Sequence, residues 1–245
     1  MIVSYQVLSF SLYFAVIVGI IYLALEPFAR RWWSELLISW NRLLAGDFRD
    51  PIIGRDILIG ALAAIGIYLI DHLGRFIKEN IFGAGEYADN NFFPEALNGW
   101  SGIISRLFAE LAISPLLGLA IFFILLLFYI VFRNKKISIV LLALIISVPQ
   151  FITSLQSGDW LNGASALMFG ATVAFILTRF GLLAVMFFFI YGTLNASLPT
   201  TFDTSSHMFP GTVLVFAVAV SLAIYGFYTS TAGQPVFQRK LLPEE

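Results

Sequence analysis

Long unbroken apolar runs set the pattern of this chain, with polar residues gathered between them. The runs fall at about 6–25, 57–73, 110–132, 137–155, 164–178, 182–198 and 209–228. Each approaches the ~20 residues that a helix needs to cross a bilayer. The fifth and sixth are short and meet at Thr178-Arg179-Phe180-Gly181. A single helix there would hold Arg179 near the bilayer centre, at a cost of several kcal/mol. Two helices with a tight turn at Arg179 put the charge at a surface, so the pattern predicts seven spans. Pro115 and Pro149 lie inside spans, where kinks are tolerated. Small residues at Gly60, Ala61, Ala64, Gly170, Ala171 and Ala174 predict close helix–helix contacts.

Two stretches depart from this pattern. In residues 27–56, Trp32 or Trp33, Leu36 or Leu37, Trp40, and Leu43 or Leu44 recur at i, i+4 spacing behind Pro27. This predicts an amphipathic helix over about 28–45, lying in the membrane plane with Trp at headgroup depth and Arg on the wet face. Gly46 is placed to end it as a C′ residue, and Pro51 stops any continuation. Arg49-Asp50 and Arg55-Asp56 then precede the second span, and their charges suit pairing with one another or with lipid phosphate. The other stretch, about 74–105, is rich in Gly and Asn and reads as an outer loop of interfacial turns.

Composition agrees with lipid as the solvent. Of 245 residues, 59% are hydrophobic and 12% charged, with a mean hydropathy of +0.89. Soluble domains carry about 25% charged residues, so the expected class is an all-α polytopic membrane bundle forming a single domain. The first run lacks a basic leader and a small-residue cleavage site, so it reads as a span rather than a removed signal. Cationic residues fix the expected orientation. With the N-terminus outside, eleven Lys and Arg fall on the inner side and only Arg75, Lys78 and Arg106 on the outer. A formal net charge of −1 gives no reason to expect nucleic acid. The absence of Cys excludes disulfides and thiolate chemistry.

Residues 22–64 carry a resemblance. The run "LEPFARRWW…SWNRLLAGDFRDPIIGRD" resembles the membrane-spanning C-terminal region of acidobacterial-type bacterial serine/threonine protein kinases. The matching positions include Glu26, Pro27, Arg30, Arg31, Trp33, Trp40, Arg42, Gly46, Arg49, Asp50, Pro51, Gly54, Arg55 and Asp56. The ending "AIYGFYTSTAGQPVF", residues 223–237, is similar to that family's closing motif. The resemblance implies a membrane module associated with kinase signalling in a bacterial cell membrane. It carries over no catalytic residue, because the Gly-rich loop, VAIK, HRD and DFG signatures are missing.

Candidate chemistry is sparse. Arg30, Arg31, Trp33, Trp40, Arg42, Arg49, Asp50, Arg55 and Asp56 form the expected docking surface for a cytosolic or linked kinase domain. Asp71 and His72 end the second span and Glu110 opens the third on the same side, giving an outer polar cluster suited to a small transporter or channel-like protein. His207 and Asp203 share an outer turn without metal-site spacing. "GAGEY" at 83–87 lacks the strand and helix of a nucleotide loop, and no hydroxyl has a placed base. No cofactor is expected. The leading expectation is a non-enzymatic anchor or sensor, with transport as the alternative.

Overall fold

A computed structural model describes residues 31–81, 99–198, 201, 203–206 and 208–231, with isolated positions between 13 and 28. All regular structure among the described residues is helical. A 3-10 turn, Ser34–Leu37, leads into α1 (Ile38–Leu44). Then follow α2 (Pro51–Ile81), α3 (Trp100–Phe132), α4 (Lys135–Gln156), α5 (Trp160–Phe180), α6 (Leu182–Ser197) and α7 (Phe209–Ser230). Five of these are long and apolar enough to cross a membrane: α2 over Pro51–Lys78, α3, α4, α5 and α7. The expected first span, 6–25, lies almost wholly outside the described residues.

α6 is the axis of the bundle. Its 16 residues extend only about 24 Å at 1.5 Å per residue, less than the ~30 Å hydrocarbon thickness. Twelve of them are buried, on every face of the helix. A helix apolar all round is stable only when other helices cover it. Here α2, α3, α5 and α7 surround α6, and α4 pairs with α5 as an outer hairpin. Phe188 packs tilted against Phe169 and edge-on against Phe189, at ring separations of 5.5 and 5.4 Å. The small residues do what their size permits. A Cβ on Gly60 would stand 2.9 Å from the Phe188 nitrogen, and one on Gly170 would stand 2.5 Å from the Ala143 carbonyl. Ala171 instead faces outward.

Helix ends differ from the expectation in one direction. α2 begins six residues before 57 and runs eight past 73, and α3 begins ten residues before 110. The expected outer loop of 74–105 therefore contracts to the stretch between Ile81 and Trp100. Pro51 opens α2 rather than only stopping the elbow, as suits a residue with no N–H to orphan. Asp50 accepts the Ile52 N–H at 2.8 Å in the cap. Charged residues at both ends of α2 and at the start of α3 are paired with acids, so they do not interrupt the helix.

The break between α5 and α6 falls at Gly181, with φ +95. Arg179 keeps the last turn of α5, just inside the expected turn. Pro115 and Pro149 lie within helices as expected. Asn134 caps α4 through the Lys136 and Ile137 N–H groups, and Asp159 caps α5 through that of Asn162.

Candidate functional site

The alternating directions of the helices gather 51, 132–135, 180–182 and 230 at one end of the bundle, where the elbow 31–50 also packs. We term this the elbow end. The opposite far end holds 81, 100, 156–160 and 197–209.

The elbow is not one helix over 28–45. Trp33 takes φ −146 and ψ 43, which interrupts the helical path before the 3-10 turn. Its apolar stripe is not spread at headgroup depth either. Trp33, Leu36 and Leu37 are at most 3% exposed and belong to the main core, while Trp40 packs on Ile53, Ile57 and Leu183. The physical reason is that the ends of α5 and α6 offer an apolar cover nearer than lipid. A Cβ on Gly181 would lie 2.6 Å from the Leu36 carbonyl, so glycine lets the two backbones meet. Trp32 and Trp33 stand edge-on to Tyr129 of α3, at 5.7 and 6.0 Å. Tyr225 of α7 donates to the Phe48 carbonyl at 2.6 Å. Gly46, at φ +90, ends α1 as expected. Its N–H meets the Leu43 carbonyl while that of Asp47 meets Arg42, the paired bonds of a Schellman motif.

A cavity of about 280 Å³ opens between the elbow, the start of α2 and the end of α5. Glu35, Ser39, Arg55, Asp56, Thr178 and Arg179 supply its polar walls. Asp56 is wholly buried, although it lies in the second turn of α2. Both the Nε and Nη2 groups of Arg55 donate to a single oxygen of Asp56, Oδ1, at 3.0 and 2.8 Å. Its Oδ2 has no hydrogen-bond partner among the described residues. Ser39, also buried, lies beside the carboxylate within hydrogen-bonding reach. A buried carboxylate oxygen without a donor is costly, which marks this cavity as the candidate site.

The expected docking residues thus divide. Arg31 is exposed and lies 5.8 Å from the Trp32 ring; Arg49 is exposed and Arg55 half-exposed. Arg42 is tied to Asp50 in an ion pair. Trp33 and Trp40 hold the elbow to the bundle and do not offer a docking face; Arg30 lies outside the described residues. Sequence reasoning missed Ser39, Thr178 and Arg179 as residues that share a cavity with Asp56, because nothing in local spacing brings residues 179 and 56 to one cavity.

At the far end, the expected cluster of Asp71, His72 and Glu110 is not assembled. Asp71 bonds Arg75 one turn along α2 at 2.6 Å, and exposed His72 bonds the Tyr68 carbonyl. Glu110 is 1% exposed, held by Arg106 on α3 and by the Ser197 hydroxyl of α6 at 3.4 Å. α6 lies between α2 and α3, which keeps the two groups apart. Nor does Glu110 open α3; it stands ten residues inside it. Lys78 meets Asp159 across the α4–α5 turn. Ser205 holds the Asp203 carboxyl below its usual range, through hydroxyl and backbone bonds of 2.6 and 2.9 Å. His207 lies outside the described residues. Among the described residues no three His, Asp or Glu converge to hold a metal. Neither a family model, nor a curated protein, nor a solved structure matches this chain.

Proposed function

We propose that this chain is a multi-pass membrane module of the anchor or sensor type, which presents its elbow to a cytosolic signalling partner. One observation carries the reading: the elbow buries its apolar stripe in the bundle while its cations stay outside. Arg31, Arg49, Arg133, Lys136 and Arg179 are exposed around the same end. A platform fixed in this way moves with the helices it caps, so a shift in the spans changes what the cytosol meets. Seven spans with the N-terminus outside put this cationic end in the cytosol of a bacterial cell membrane, in accord with the positive-inside rule. The resemblance of residues 22–64 supports a serine/threonine kinase domain as the partner.

The transporter alternative draws less support. Asp71 and Glu110 each face an arginine on their own helix, and solid packing around α6 separates them.

The test is retention of kinase activity by the affinity-purified chain from its native membrane. Replacing Arg31, Arg49 and Arg179 together by Ala is expected to reduce retained activity about ten-fold, as the loss of several charge-assisted contacts would. Arg42 is left intact because it serves Asp50. Unchanged retention would count against the docking role.

A further inference from the structure

We infer that the elbow-end cavity binds a zwitterionic group that joins a primary ammonium to a phosphate, such as a phosphoethanolamine headgroup. The inference does not depend on the kinase partner; it uses the membrane reading only for the source of the ligand.

Asp56 supplies the first requirement. Its Oδ1 is satisfied by Arg55, while Oδ2 is buried and has no partner among the described residues. That oxygen calls for an N–H donor delivered from the cavity, and an ammonium supplies three. Ser39, whose hydroxyl is turned to the carboxylate as a donor, keeps oxygen lone pairs that can accept a second N–H. The rim supplies the second requirement. Arg55 is half-exposed and Arg179 exposed. Arg179 offers a phosphate its forked donors, and Arg55, whose Nε and Nη2 are held by Asp56, adds its remaining Nη1 group and its charge. Acid at the floor and base at the rim favour a ligand carrying both charges over a simple anion or cation.

Size and setting agree. At about 280 Å³ the cavity falls just below the roughly 300–1,000 Å³ typical of small-molecule sites. That volume suits a headgroup better than an acyl chain. Leu36, Ile38, Ile52 and Phe180 form the apolar part of the wall, and the root of a lipid would pass toward hydrocarbon beside Ile38, which is 43% exposed. The cavity lies at the end of α5 and the start of α2, which is the depth of lipid phosphates if these helices span the membrane.

The test uses the full chain, delipidated in a mild detergent at neutral pH, with binding read from thermal stabilisation. The probes are short-chain phosphatidylethanolamine, phosphatidylcholine and phosphatidylglycerol, free phosphoethanolamine, and inorganic phosphate. The ethanolamine lipid is expected to bind about ten-fold more tightly than the choline or glycerol lipid, since a quaternary ammonium has no N–H and glycerol no charge. Asp56→Asn is expected to abolish that preference. Should Asp56→Asn fail to fold, Arg179→Gln keeps the proposal testable, because Arg179 is exposed. It is expected to weaken every phosphate probe while leaving the ethanolamine-to-glycerol ratio unchanged. Free phosphoethanolamine binding as tightly as the lipid supports a soluble ligand of the same chemistry; binding of the lipid alone supports the membrane as source. Equal binding of all three lipids, inorganic phosphate competing as well as phosphatidylethanolamine, or an Asp56→Asn protein that keeps the preference would each overturn the proposal.

Discussion

At the elbow end, Arg49, Arg133, Lys136 and Arg179 are exposed and form no ion pair among the described residues. At the far end, Arg75, Lys78 and Arg106 each meet a carboxylate: Asp71, Asp159 and Glu110. The two ends of one bundle therefore use the same residue types for different purposes. Far-end charges are drawn into the helices and neutralised there, which lets α2 and α3 continue past their apolar runs. At the elbow end Arg42 and Arg55 are likewise paired, with Asp50 and Asp56, but Arg49, Arg133, Lys136 and Arg179 stand outward beyond those pairs and leave an excess of positive field. The difference teaches that a charge count along the chain reads sidedness, whereas burial reads which charges remain free to meet a partner.

Breaking the far-end pairs is expected to cost the most stability. Arg106→Ala leaves Glu110 buried without its countercharge, a loss of about 3 kcal/mol. That corresponds to a fall of roughly 6–12 °C in the melting temperature of the detergent-solubilised protein, at about 2–4 °C per kcal/mol for a chain of this length. Replacing both Arg106 and Glu110 by Leu is expected to restore most of it, because no lone charge remains. A somewhat smaller loss, about 2 kcal/mol, is expected for Gly181→Val, since φ +95 disfavours a β-branched residue and its Cβ meets the Leu36 carbonyl. Limited proteolysis of residues 31–49 is expected to accelerate in that variant, as the elbow loosens from the turn. Smallest is Arg49→Ala, within about 0.5 kcal/mol of wild type by the same melting measurement. A large destabilisation by Arg49→Ala would erase the contrast between the ends.

Much of the bundle was legible in the runs themselves. The break between 178 and 182, the cap at Gly46 and the close contacts at Gly60 and Gly170 all follow from residue size, backbone freedom or the cost of a buried charge. The helix ends were not legible, because hydropathy stops a span at its first charge. It does not register that Arg106 and Glu110 lie one turn apart and neutralise one another, or that Arg55 answers Asp56 beside it. The elbow was half legible. Its i, i+4 stripe showed which face is apolar, but whether lipid or protein covers that face is a tertiary matter. The cavity was hidden for the same reason. Asp56 was visible as a helix-start carboxylate, yet Arg179 and Ser39 join it around one cavity only through the packing of three separate segments.

The absence of cysteine makes site-directed labelling the most direct test that the chain spans the membrane with its elbow in the cytosol. Single cysteines at Asp47 and Asn134 would probe the elbow end, and one at Ser205 the far end. A membrane-impermeant maleimide applied to intact cells is expected to label position 205 at once, and positions 47 and 134 only after the membrane is opened. Labelling of 47 and 134 in intact cells, or equal labelling of all three, would contradict the account.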